Sequence, residues 1–301
     1  MDSRKILASL LLIAMVLTLP ACSSSSSKSA PGGDSPSGKS EMTLKFAHMR
    51  TTDSEEHQFF LAFKEYVEEK SNGRIKIDIY PNNELGDYTT VQEAVAMGDI
   101  HLMCGTPSSS VDPHFTLATF PYLCTNWDEV FSFYKEGGFV NKIISERFEK
   151  QGIKPLAPFP QYFGSVILAH EPQNPEDLTA NRNVKIRCPS MKPFELVGEK
   201  LGFQVTPMPS SEAFTAIQTG IVDGMIGGGN TGYYQKFSEV CKYVMNTKSH
   251  LECHWLYMNQ KLFDSLSPDD QQIILDAAKQ IEDAGFDWAK NNERKYIDLM
   301  K

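Results

Sequence analysis

Val184-Lys185-Ile186-Arg187-Cys188-Pro189, with the residues that follow it as far as Gly229, decides the fold. Val184 to Cys188 reads as a strand, and Pro189 ends it because a ring nitrogen has no N–H to give a ladder. Ser190–Leu201 reads as a helix, with Pro193 in its first turn and Gly202 just past its end. Phe203–Thr206 is the next strand. Ser210-Ser211-Glu212 then opens a helix that Gly220 closes, and Gly224–Ile226 is a strand running into Gly227-Gly228-Gly229. Strands alternating with helices argue an α/β fold with a parallel sheet.

The same alternation occupies the first half of the chain. Thr43–Ala47 is a strand, and Asp53-Ser54-Glu55-Glu56 starts a helix with a capping residue and acids in the first turn. Phe59, Phe63, Tyr66 and Val67 form its apolar stripe, and Asn72-Gly73 stops it. Ile75, Ile77 and Ile79 alternate with polar neighbours as a strand. Val91, Ala94 and Val95 mark a helix ending at Gly98, and Ile100–Cys104 is a short strand. Gly164–Ala169 and Leu251–Met258 are strands too. Ser267-Pro268-Asp269-Asp270 begins one long amphipathic helix through Ile273, Ala277, Ile281, Ala284 and Trp288. Two α/β units joined by extended segments make two lobes with a cleft between them. Ligands of such sheets sit outside the carboxyl ends of the strands.

The 301 residues carry 29 Lys plus Arg against 38 Asp plus Glu, a net charge of −9, with no basic stripe, so nucleic acid is not an expected partner. At the N-terminus Arg4 and Lys5 precede an apolar run, Ile6–Leu19, which ends at Leu19-Pro20-Ala21-Cys22. A run of this length is too short to span a bilayer and fits a signal peptide covering 1–21. Leu-x-Ala-Cys resembles a bacterial lipobox, so Cys22 is expected to carry a diacylglycerol. Residues 22–40, rich in Ser, Gly and Pro, then form a lipid-anchored tether. The protein is expected outside the cytoplasm, periplasmic or extracytoplasmic, as a membrane-anchored lipoprotein. Its five remaining Cys cannot all pair within the chain and are expected as small buried thiols, with a Cys241–Cys253 bridge as the lesser alternative.

GxSxG, HExxH, P-loop and dinucleotide glycine patterns are all absent, and the Cys and His spacings do not suit a metal, so neither enzyme activity, cofactor nor metal is expected. Gly227-Gly228-Gly229 suits the close approach of a ligand or another strand. Arg187, at the carboxyl end of its strand, can meet a carboxylate with two parallel hydrogen bonds, though an ordinary surface Arg fits the periodicity as well.

Lys185-Ile186-Arg187-Cys188-Pro189, Leu201-Gly202, Pro207-Met208-Pro209-Ser210-Ser211-Glu212 and Ala216-Ile217-Gln218-Thr219-Gly220-Ile221-Val222-Asp223-Gly224 together resemble the core signature of the extracytoplasmic solute receptors of tripartite ATP-independent periplasmic (TRAP) transporters, the DctP family. Glu68–Ile77, Tyr80-Pro81-Asn82-Asn83-Glu84-Leu85-Gly86, Phe120-Pro121-Tyr122-Leu123 and Pro175-Glu176-Asp177-Leu178 are similar to further family segments in the same order. The resemblance implies a two-lobed periplasmic binding protein that closes on a small organic acid and delivers it to a sodium-coupled membrane permease. It implies that Arg187 pairs with the ligand carboxylate and that His250 matches a family His of the second hinge region. Val166 stands where many members carry a second Arg, which implies a ligand with one carboxylate to neutralise. Met225-Ile226-Gly227-Gly228 replaces the family's Gln-Glu-Asn-Pro. The family usually continues beyond the point matching Lys301, which would leave the last helix without its usual packing partner.

On this reading lobe I comprises 41–163 with 254–290 returning, and lobe II comprises 164–253 with 291–301. Tyr88, Arg50, Phe163, Phe214 and Asn230 join Arg187 and His250 as ligand-binding candidates from their loop positions. Tyr233 and Tyr234 suit either the cleft or the core. A receptor for another transporter class, a chemoreceptive module and an anchored extracytoplasmic enzyme are the alternatives.

Overall fold

A computed structural model describes residues 41–177 and 179–299, the side chains of Arg294 and Ile297 apart. The expected signal peptide, the lipid-bearing Cys22 and the tether lie outside the described residues. In chain order the elements begin β1 (Met42–His48), α1 (Glu55–Lys70), β2 (Ile75–Tyr80), α2 (Tyr88–Met97), β3 (Leu102–Gly105), α3 (Trp127–Tyr134), α4 (Phe139–Glu149) and β4 (Ile153–Leu168). They continue with β5 (Lys185–Cys188), α5 (Lys192–Lys200), β6 (Gln204–Pro207), α6 (Ala213–Gln218), β7 (Gly224–Gly229), α7 (Asn230–Gly232, extended by a π turn over Tyr233–Phe237), β8 (Tyr243–Met245), β9 (Leu251–Asn259), α8 (Gln260–Ser265) and α9 (Pro268–Leu299).

The strands run in the order β2-β1-β3-β9-β4-β7-β5-β6, and β8 also pairs with β4. β2, β1 and β3 are parallel, as are β6, β5 and β7. The centre corrects the expectation of a parallel sheet. β3–β9, β4–β9, β4–β7 and β4–β8 are antiparallel pairs. The cause is that β4 and β9 carry the chain out of one half and back into the other, so they must run in opposite directions.

β4 spans 16 residues, of which sequence reading identified only the last few as strand. Its earlier stretch holds Pro155, Pro158 and Pro160, which cannot donate to a ladder. Register shifts against β9 at Pro155/Ala157 and Pro160/Tyr162 absorb two of them. β4 therefore belongs to both halves of the sheet, with β9 beside its first part and β7 and β8 beside its last.

Ser54 caps α1 by accepting from the backbone N–H of His57, as the acidic start suggested. Its buried stripe is Phe60, Phe63 and Val67, while Phe59 and Tyr66 stay half-buried. α9 buries Ile274, Ala277, Ala278, Ile281 and Phe286, so the stripe rotates past the expected Ala284, which is exposed. Gly285 permits the turn, because a Cβ there would lie 2.3 Å from the Phe159 ring. Separate apolar clusters fill the two halves, one around Trp255 and Phe148 and one around Phe46 and Phe60 on one side, with Ile186 and Phe203 centring another on the far side. Cys104, Cys124, Cys188 and Cys253 are buried free thiols inside these clusters, and Cys241 is a buried free thiol in a fourth around Tyr233 and Phe237, so Cys241 and Cys253 are not bridged.

Candidate functional site

A cavity of about 920 Å³, its open mouth included, lies where the two halves of the sheet meet. Met49, Arg50 and Thr51 of the β1–α1 loop, Tyr88 of α2 and Thr106 after β3 line one wall. Arg187, Pro189, Phe194, Ser210 and Met225 line the other, and Tyr162 of β4 and Glu252 of β9 form the floor between them. Tyr162 and Glu252 are paired directly across the two strands.

Arg187 ends β5 at the cavity with 2% of its surface exposed. Nε donates to the Met208 carbonyl at 3.0 Å, which fixes the plane of the guanidinium. Among the described residues no carboxylate forms an ion pair with it. Burial pulls its pKa down, against the opposing pull of Tyr88, Cys188 and Tyr233, but an arginine remains charged at any working pH. The site thus contains a desolvated cation to which the described residues supply no anionic partner.

Arg50 differs. Its Nη2 donates to Gln161 Oε1 at 2.9 Å and reaches the Tyr162 hydroxyl at 3.5 Å, and its Nε is 3.5 Å from Glu56 Oε1. Burial would lower its pKa, but Tyr162 and Glu56 outweigh that and raise it. Glu56 is itself buried and its pKa is pushed up. Tyr88, raised to about 12 by burial, stays a neutral donor and acceptor. Glu252 is the anion of the floor. Burial raises its pKa, but His254, His250 and Thr106 more than cancel this and hold it down at about 2.

Of the residues expected at the site, Arg187, Tyr88 and Arg50 converge on the cavity. His250, Phe163, Phe214 and Asn230 do not line it. His250 is buried behind the wall, edge-on to Phe194 at 4.6 Å, with Nδ1 3.0 Å from Ser249 Oγ. Gly164 lies so close to it that a Cβ would meet the ring at 1.9 Å. Phe163 packs on Trp127 at 5.4 Å, and Phe214 on Phe237 at 6.0 Å. Asn230 is buried next to the cavity residue Gly229, and its Oδ1 has no hydrogen-bond partner among the described residues. Val166 is buried with Ile186 in the core of the far half.

The glycine run makes room for neighbouring side chains. Gly227 has φ +92° and faces the cavity, while the Tyr233 and Tyr162 rings press on Gly228 and Gly229, where a Cβ would come within 2.5 and 1.9 Å. Tyr233 serves both core and cleft. Its hydroxyl donates to the Ser165 carbonyl at 2.8 Å and accepts from the Gly228 N–H at 3.0 Å. Tyr162, Thr106, Glu252 and Phe194 line the cavity without having been singled out in the sequence. The one signal was for Glu252, its place on the strand read over Leu251–Met258.

A model of the family DctP, bacterial extracellular solute-binding protein family 7, matches residues 46–301. A solute-binding protein of Roseobacter denitrificans is 29% identical over 244 residues, 79% of this chain and 72% of that protein. The crystal structure of that TRAP periplasmic solute binding protein with bound L-galactonate superposes with a TM-score of 0.75 at 25% identity, covering 87% of this chain and 88% of that one. A TRAP periplasmic solute binding protein from Desulfovibrio desulfuricans with bound sn-glycerol-3-phosphate gives a TM-score of 0.76 at 26% identity, over 86% of this chain and 82% of that one. The ectoine-binding periplasmic protein TeaA of Halomonas elongata is 27% identical over 267 residues, 85% of this chain and 75% of that protein.

Proposed function

The chain belongs to the DctP family of bacterial extracellular solute-binding proteins, and from that membership we propose that Arg187 captures a small organic acid by its carboxylate. The protein is a two-lobed solute-binding receptor of a TRAP transporter, not an enzyme, and it works outside the cytoplasm with a membrane permease as its partner. The observation that carries the assignment of Arg187 is its buried guanidinium, oriented by the Met208 carbonyl and without a counter-ion among the described residues. A bound carboxylate supplies the missing charge in bidentate geometry.

On this reading Tyr88 and Arg50 contact the ligand from the opposite wall. His250, Phe163, Phe214 and Asn230 support the wall and hinge from behind. Lobe I is 41–163 with 254–290, lobe II is 164–253 with 291–301, and Cys22 anchors the whole to the membrane through its lipid. The ligand carries one carboxylate that needs neutralising, because Val166 stands where many family members carry a second Arg and the guanidinium of Arg50 is already held by Gln161 and Glu56. L-Galactonate, held by the Roseobacter relative, is an acid of this kind. The test is a thermal-shift screen of organic acids followed by calorimetry on wild type and Arg187→Met. A ligand at 100 times its dissociation constant stabilises the fold by about 2.7 kcal/mol. Unchanged affinity in the variant places the carboxylate elsewhere.

A further inference from the structure

We propose that Glu252 is a second recognition group, which accepts a hydrogen bond from a hydroxyl or ammonium at the end of the ligand remote from its carboxylate. This deepens the reading above and rests on Arg187 holding the carboxylate. Glu252 forms part of the cavity floor on β9, opposite Tyr162. Its Oε1 is engaged: Thr106 Oγ1 donates to it at 2.6 Å, and His254 Nε2 stands 3.2 Å away. Its Oε2 accepts no hydrogen bond among the described residues and, unlike both oxygens of Glu56, is not sealed from the cavity.

An ionised carboxylate is acceptor-only, so whatever meets Oε2 must donate. A hydroxyl or an N–H does so, whereas a second carboxylate is repelled. The remaining cations of the cavity do not reverse this sign at the floor. Arg50 is already held by Gln161 and Glu56, and Lys236 belongs to the turn after β7. Arg187 and Glu252 therefore give the site two unlike ends. One takes an anion and the other a donor, which selects hydroxy or amino monocarboxylates and disfavours dicarboxylates.

Calorimetry on the full mature protein tests this with two matched series. The four-carbon series is butyrate, 4-hydroxybutyrate, 4-aminobutyrate and succinate. The six-carbon series is hexanoate, 6-hydroxyhexanoate, 6-aminohexanoate and adipate. The expected result in wild type is that, in at least one series, the hydroxy or amino acid binds at least tenfold tighter than the plain acid and the dicarboxylate binds weakest. Glu252→Gln keeps the shape and removes the charge, and is expected to erase the preference for ammonium and raise the dicarboxylate. A hydroxyl preference that shrinks less than the ammonium one identifies the hydroxyl as the natural donor. A dicarboxylate equal to or tighter than the hydroxy acid in wild type overturns the inference whether or not the variant folds, and puts the second carboxylate on Arg50 or Lys236. An order of affinities unchanged by Glu252→Gln overturns it as well. In both cases loss of every acid in Arg187→Met leaves the carboxylate reading standing, while failure of all eight acids to bind wild type overturns both.

Discussion

Ser210 donates its hydroxyl to Asp87 Oδ2 at 3.3 Å, and the bond joins the two walls of the cavity. Asp87 is the N-cap of α2, and Ser210 follows the Pro207-Met208-Pro209 segment whose Met208 carbonyl orients Arg187. The carbonyl that orients Arg187 and the hydroxyl that ties the walls together therefore lie two residues apart on one loop. Ser210→Ala removes the tie while leaving the Asp87 cap intact. A hydrogen bond of this kind contributes about 0.5–1.5 kcal/mol. The variant is expected to release ligand two- to tenfold faster in stopped-flow measurements, with association little changed. An unaltered release rate would show that the walls are held by other contacts.

Arg187→Met should separate binding from stability. Loss of one partner of a buried charge pair costs about 2–5 kcal/mol, a 30-fold or greater fall in affinity. The ligand-free protein carries Arg187 desolvated and unpaired, so exchanging it for an apolar side chain is expected to leave the thermal midpoint unchanged or raised. A midpoint lowered by several degrees would instead make Arg187 a structural residue.

His250 makes stability depend on mild acid. Burial lowers its pKa from 6.5 to about 4, so the unfolded chain takes up its proton first as the pH falls. The contribution is complete above pH 6.5 and is lost between there and pH 4, amounting to about 3 kcal/mol. Urea unfolding at pH 7 and pH 4.5 should show a smaller acid loss in His250→Gln than in wild type. His48, buried and lowered to about 3, acts in the same direction in both proteins and cancels from the difference. Equal losses would mean that the His250 ring is not buried in the neutral state.

Gly164→Ala tests the packing behind the cavity. The new methyl would stand 1.9 Å from His250 Cε1, with Phe194 on another side of the ring. Overpacking of this kind costs about 1–3 kcal/mol. The expected outcome is a lower thermal midpoint, recovered in part by His250→Ala in the same chain. A neutral single variant would show that the ring has room to move.

Much of this was legible in the residues and some was not. Pro189, Pro193, Gly202 and Gly220 mark the edges of β5, α5 and α6, because each has a conformational reason to sit at a boundary. Arg187 was legible through the family resemblance around it, since its place at the carboxyl end of a strand fitted an ordinary surface Arg as well; it lines the cavity. β4 was hidden by its prolines, which ordinarily argue against a central strand but here fall at bulges. Glu252 was hidden for another reason. Every residue of β9 is buried, so no alternation of polar and apolar residues marks which of its side chains line the cavity. Phe163 and Asn230 were misplaced by the same limit, since loop proximity does not fix the direction of a side chain.

β9 sits between β3 and β4, and it is made about a hundred residues after β4, as the pairing of Ile153 with Asn259 illustrates. The first lobe cannot finish its sheet until nearly the whole chain has been synthesised. Closing so distant a pair carries a loop entropy that local contacts do not, and such topologies fold slowly. For a protein that must cross a membrane before it works, delay is an advantage: a nascent chain lacking β9 is a poor substrate for premature folding and remains threadable. The strand that forms the floor of the cavity is thus also the last to be made of those that pair with β4.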